Sequence, residues 1–185
     1  MLKILFTETG DTGFGGSYHS LKNLVELISE EVECHVLYSN DPRVYPEGKN
    51  IYIYRAYDPI TTRTIFRGFL NKVYYKLIRL FSRQKKMIDS IFRRSFLCEI
   101  NKIVKDKKID IIHTNNQPFR DDFILYDNQN HSVGLVSHIR TENIKGISIS
   151  HDPKKNIRYI SVSRSVESLW SKALNYSNSY VLNNF

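Results

Sequence analysis

Short apolar runs alternate with longer stretches of helical periodicity along the whole chain. Residues 2–7 form an apolar run, Leu2-Lys3-Ile4-Leu5-Phe6-Thr7, suited to a strand buried on both faces. After a glycine cluster, Leu21, Leu24, Val25 and Ile28 recur at helical spacing and predict an amphipathic helix from about Ser17 to Glu31. Residues 34–38 read as a second strand, closed by the turn residues Asn40-Asp41-Pro42. In 50–55, Ile51 and Ile53 alternate with Tyr52 and Tyr54, the pattern of a third strand. Residues 63–106 are helical in pattern, with Ser82 and Ser95 as candidate breaks. Four further strands are predicted at 109–113, 133–138, 158–162 and 179–182, with helices at 119–128 and 165–174.

This alternation predicts a Rossmann-like, three-layer α/β/α fold: a mainly parallel sheet with helices on both faces. With 185 residues the chain suits one such domain, 1–185, and is short for two. In such sheets ligands lie beyond the C-terminal ends of the strands. Four polar sets are predicted there, at 10–20, 113–120, 137–146 and 161–165, which points to one cleft.

The loop Gly10-Asp11-Thr12-Gly13-Phe14-Gly15-Gly16-Ser17 invites comparison with phosphate-binding motifs. Gly10 and Gly15 have P-loop spacing, but Gly16 stands where the essential lysine belongs, which excludes ATP hydrolysis by that route. Tyr18 occupies the third glycine position of a dinucleotide fingerprint, and Tyr38-Ser39 provides no acid for a ribose, so NAD is a poor fit. What remains is bare backbone N–H at a helix start, which favours an anion such as a diphosphate or serves as a plain tight turn.

Charge and cysteines narrow the picture. Of the 27 Lys and Arg, ten lie in 63–95 against the single acid Asp89, so that segment carries +9 and the remainder −1. On a helical wheel Phe66, Phe69, Leu70, Val73, Leu77, Leu80 and Phe81 oppose Lys72, Lys76, Arg79, Arg83 and Lys86. Such a helix either lies on an anionic membrane surface or packs its stripe on the sheet. No nucleic-acid-binding motif accompanies the basic segment. Cys34 and Cys98 have neither CxxC spacing nor a paired framework and read as thiols in a reducing cytoplasm. His19, His35, His131 and His151 lack metal-ligand spacing. There is no run of eighteen apolar residues, and the N-terminus does not read as a signal peptide. The expected location is therefore cytoplasmic, including the inner face of the cell membrane.

Several blocks together resemble glycosyltransferase family 4. Thr12-Gly13-Phe14-Gly15-Gly16-Ser17 before a leucine-rich helix resembles the family's opening. Asp110-Ile111-Ile112-His113-Thr114-Asn115-Asn116 looks like its D-I-I-H-x-N strand and turn, and Val136-Ser137-His138-Ile139-Arg140 like its V-x-H-x-R strand end. Tyr159-Ile160-Ser161-Val162-Ser163 and Tyr180-Val181-Leu182-Asn183-Asn184 look like its F-I-A-V-S and V-I-x-N-G strands, with Asn184 where the family usually has Gly.

The resemblance implies the N-terminal, acceptor-side half of a two-domain GT-B enzyme. The C-terminal half, with its paired glutamates for the nucleotide-sugar donor, would lie outside this chain, and the chain alone would be inactive. It also implies sugar transfer with retention of configuration onto a glycan or lipid-linked acceptor, with no cofactor and no obligatory metal. By the same resemblance Gly15, Gly16 and Ser17 approach the donor diphosphate. His138 binds and polarises beside the transferring sugar, and Asn115, Asn116, Gln117 and Arg120 line the acceptor side. Arg140 could pair with an acceptor phosphate or carboxylate, and Ser163 and Arg164 sit at the cleft edge. The residues leave alternatives open. His113 either hydrogen-bonds backbone or meets ligand, and Asn115-Asn116 could simply form a turn. The chain could also be a non-enzymatic anion-binding or membrane-docking module.

Overall fold

The computed structural model describes residues 1–9, 16–39, 45–56, 82–115, 124, 132–142, 144, 157–174, 176 and 179–182; within the helix that begins at Ser82, side chains are described from residue 93. Seven strands are present: β1 (Lys3–Glu8), β2 (Glu33–Tyr38), β3 (Ile51–Arg55), β4 (Ile111–Thr114), β5 (Gly134–Ile139), β6 (Ile157–Ser161) and β7 (Ser179–Val181). They form one sheet in the order β3-β2-β1-β4-β5-β6-β7, and every neighbouring pair is parallel. The first six follow the doubly wound Rossmann order, in which the chain reverses its direction of travel across the sheet between β1 and β4.

Three helices stand among the described residues: α1 (Gly16–Ile28), α2 (Ser82–Lys107) and α3 (Arg164–Leu174). The period-2 alternation of each strand sends neighbouring residues to opposite faces. On one face Phe6, Cys34, Val36 and Tyr38 pack against Tyr18, Leu21 and Val25 of α1. On the other, Leu5, Leu37, Ile112, Leu135, Ile139 and Tyr159 pack against Phe96, Ile100 and Ile103 of α2 and Val166, Trp170 and Leu174 of α3. The spacing of three, four or eight residues within each helix places these side chains on one stripe. Each fully buried Leu, Ile, Val or Phe contributes about 1.5–3 kcal/mol of transfer free energy, which is why helices on both faces are needed to hide this sheet.

The predicted strands and the helices beginning near 17 and 165 are present, with ends shifted by at most three residues, the largest at the C-terminus of α1. The long basic segment is described from Ser82 onward. Ser95 does not break α2, which runs without interruption to Lys107. Its end has a clear cause. Lys108 adopts a left-handed conformation at φ 56°, and the Ile109 amide turns back to the Val104 carbonyl at 3.2 Å, closing a Schellman motif. Beyond it the β4 edge is pinned to β1: the Lys3 amide donates to Asp110 Oδ2 at 2.8 Å and the Asp110 amide to the Lys3 carbonyl at 2.9 Å. The Asn40-Asp41-Pro42 turn, residues 63–81, all of the 119–128 helix except Ile124, Asn183 and Asn184 lie outside the described residues. No helix among the described residues is long and apolar enough to cross a membrane.

Candidate functional site

Phe6, His113 and Val136 sit side by side in neighbouring strands β1, β4 and β5. Two residues further on, and therefore on the same face, come Glu8, Asn115 and His138, with Arg140 two residues beyond His138. That face carries α1, whose N-terminus reaches this row: the Ser17 carbonyl accepts from Asn115 Nδ2 at 3.0 Å. The chain reversal between β1 and β4 thus coincides with a set of polar side chains, the position where open α/β sheets bind ligands.

These side chains form one connected network. Asn115 Nδ2 also donates to Glu8 Oε2 at 2.6 Å, and Asn115 Oδ1 accepts from Arg140 Nε at 2.8 Å. The amide orientation follows from its partners, because acceptors lie on one side and a guanidinium on the other. A guanidinium N–H of Arg140 then donates to His138 Nδ1 at 3.2 Å. Guanidinium nitrogens only donate, so Nδ1 accepts and the proton of neutral His138 sits on Nε2. The His138 ring meets His113 edge-on at 5.4 Å, and His113 meets Phe6 in the same manner at 4.9 Å. Glu8 and Asn115 are fully buried, and the two histidines are each 5% exposed.

Burial sets the charge states. It pushes His113 down to about 3, reinforced by the Arg140 charge. It pushes His138 down to about 2, with His113 and Arg140 adding to the effect. Both rings are therefore neutral at any ordinary pH. Arg140 falls to about 10 through burial, opposed by the Glu8 carboxylate, and remains a cation. Two buried nitrogens, His138 Nε2 and His113 Nδ1, have no hydrogen-bond partner among the described residues. A buried polar atom without a partner costs about 1–3 kcal/mol, so each is a position where an incoming polar group gains an interaction.

The loop after β5 is fastened to α3 on the far side of the sheet. Trp170 Nε1 donates to the Thr141 carbonyl, and Ser165 Oγ donates to Glu142 Oε1 at 2.7 Å. Ser163 acts as the N-cap of α3, accepting from the Val166 amide at 3.2 Å.

Of the residues singled out from sequence, His138, Asn115 and Arg140 come together, with the backbone of Ser17 beside them. Sequence placed His138 at the open end of an apolar strand. The ring is instead buried, because β5 continues to Ile139 and Arg140 folds over it. The described contacts of Arg140 run inward, to Asn115 and His138. Gly16 opens α1, and a methyl group added there would meet nothing within 4 Å among the described residues. Gly15, Asn116, Gln117 and Arg120 lie outside the described residues. Sequence reading missed Glu8, whose only signal was an acid two residues after Phe6 at the end of a doubly buried strand. Among the described residues no group of three or more His, Cys, Asp or Glu side chains is placed to hold a metal ion.

No protein-family model matches the chain, and no curated protein matches it. Solved structures do. Sucrose-phosphate synthase from Thermosynechococcus elongatus superposes with a TM-score of 0.65 at 10% identity, over 99% of this chain and 48% of that one. HepE from Anabaena, in complex with UDP and glucose, gives 0.58 at 13% identity over 100% and 45%. The apo form of the lipopolysaccharide outer core galactosyltransferase WaaB gives 0.57 at 12% identity over 98% and 45%. The chain shares their fold. It also spans about half the length of each of these structures.

Proposed function

We propose that this chain is the acceptor-side, N-terminal half of a retaining GT-B glycosyltransferase. The enzyme would move a sugar from a nucleotide-sugar to a glycan or lipid-linked acceptor in polysaccharide or glycolipid assembly. The observation that carries the reading is the buried Glu8–Asn115–Arg140–His138 network at the β1/β4 reversal, in a fold shared with a galactosyltransferase and a UDP- and glucose-bound protein. Half-length coverage of those structures fits a division in which a second domain takes the nucleotide-sugar.

In this reading Gly16, with Gly15 and Ser17, admits the donor diphosphate at the α1 N-terminus, where backbone N–H groups favour an anion. His138, neutral and with its proton on Nε2, donates a hydrogen bond to a sugar oxygen. It polarises and positions, and the nitrogen facing Arg140 is not free to take up a proton. Asn115, Asn116, Gln117, Arg120 and Arg140 belong to the acceptor side, and no metal is required. The basic segment 63–95 supplies an electrostatic hold on an anionic membrane surface, worth about 1 kcal/mol per basic residue near it.

The test uses the protein encoded by the full reading frame. Release of UDP from UDP-hexoses should be detectable, should persist in EDTA, and should fall about 100-fold or more in His138→Ala, as for other preorganised donors. Absence of turnover with every nucleotide-sugar offered, or a His138→Ala variant as active as wild type, would overturn the assignment.

A further inference from the structure

His138 Nε2 is a buried nitrogen with no partner among the described residues, and the ring's orientation is fixed at the opposite nitrogen by Arg140. Arg140 is held in turn by Asn115, and Asn115 by Glu8. Each link has one workable polarity. The carboxylate accepts only, so Asn115 must present Nδ2 to it and Oδ1 to the guanidinium; the guanidinium donates only, so His138 Nδ1 must accept. The contacts thus run unbroken from an acid on β1 to a ring on β5. The charged and titratable side chains acting on His138 among the described residues are His113 from β4 and Arg140, with Glu8 acting through Arg140.

We propose that Glu8 is a positioning residue which, through Asn115 and Arg140, holds His138 neutral with its proton on Nε2, so that the site offers an N–H donor to an uncharged hydroxyl oxygen of its ligand. Among the described residues, the Glu8 carboxylate acts on the Arg140 guanidinium as an opposite charge. The ligand class rests on the sugar-transfer reading, whereas the tautomer rests on the Arg140 contact and the neutrality of the ring on its burial.

Long-range 1H–15N correlation spectra of the histidine-labelled chain test this without any ligand. His138 of the wild type should show a neutral ring with an Nε2 proton from pH 8 to pH 5. Arg140→Met should release Nδ1, bring in the second tautomer, and move the protonation midpoint upward because a nearby positive charge is gone. Glu8→Gln should produce the same tautomer mixture to a smaller extent, since the buried guanidinium loses its counter-charge, and Glu8→Asp should restore the wild-type spectrum in part. A wild-type ring protonated on Nδ1, or titrating between pH 8 and pH 5, overturns the proposal. So does a Glu8→Gln spectrum identical to wild type when Arg140→Met shifts. Should Glu8→Gln fail to fold, Glu8→Asp carries the comparison: its shorter reach is expected to release Nδ1 in part, and an unaltered His138 signal counts against the tether. A correct tautomer in a full-length protein that transfers no sugar would leave this inference standing and remove the functional one.

Discussion

Acidification from pH 7 to pH 5 should destabilise this protein through His113 and His138. Both rings are buried and have folded-state values far below the ordinary 6.5, at about 3 and about 2. A histidine whose folded value is depressed is protonated first in the unfolded chain, so its contribution is complete above about pH 6.5 and declines as pH falls below that. Each such ring removes about 1.4 kcal/mol per pH unit in that range, or about 2 kcal/mol by pH 5. The pair therefore costs about 4 kcal/mol, a large part of the 5–15 kcal/mol available to a typical domain. His35 acts in the same direction, lowered by burial although Glu33 opposes the shift. The carboxylates Glu26 and Glu33 lie below their ordinary value, so their losses begin at more acidic pH than this window. The assay is urea unfolding at several pH values, followed by the fluorescence of Trp170, the single tryptophan, which is fully buried. His138→Gln should reduce the slope by about one proton. A stability that is flat or rises between pH 7 and pH 5 would show that these rings are not held neutral in the folded state.

Three other outcomes follow from particular contacts. Asn115→Ala removes two hydrogen bonds to charged groups and one to the Ser17 carbonyl, and should cost about 3–5 kcal/mol in denaturant unfolding; a loss below 1 kcal/mol would mean that water or a neighbour replaces the amide. Gly16→Ala meets nothing within 4 Å among the described residues, so stability should change by less than about 1 kcal/mol. Titration of the full-length protein with UDP should nevertheless give weaker binding for that variant, and unchanged affinity would separate this loop from the diphosphate. Lys108→Gly relieves a left-handed lysine at the end of α2 and should stabilise by about 0.5–1 kcal/mol, visible as a higher Tm.

Inner strands such as β1 were legible as short apolar runs covered on both faces, whereas the largely exposed edge strand β3 was legible only from the alternation of Ile51 and Ile53 with Tyr52 and Tyr54. The helices α1 and α3 were legible because their buried positions recur at helical spacing. Their caps were less so: whether α1 starts at Gly16 or Ser17 depends on the preceding backbone, and composition does not specify that. At the site, Asn115, His138 and Arg140 stood out as polar residues ending apolar strands. Glu8 did not. Its partner Asn115 is 107 residues away along the chain, and only the adjacency of β1 and β4 turns an apparently solvated acid into a buried one. The inward course of Arg140 was invisible for the same reason, since sequence shows that a guanidinium is present but not what already occupies it.

The fastening of the β5 loop to α3 has a mechanical consequence. Arg140, Thr141 and Glu142 are consecutive; the first belongs to the polar network on one side of the sheet, and the next two are gripped by Trp170 and Ser165 of a helix on the other. Any guest that shifts Arg140 must therefore strain or break a contact to α3, and loosening α3 must slacken the seat of Arg140. The seat of Arg140 is in this way adjustable from Trp170 and Ser165 of α3, by substitutions that a search confined to the polar network would pass over.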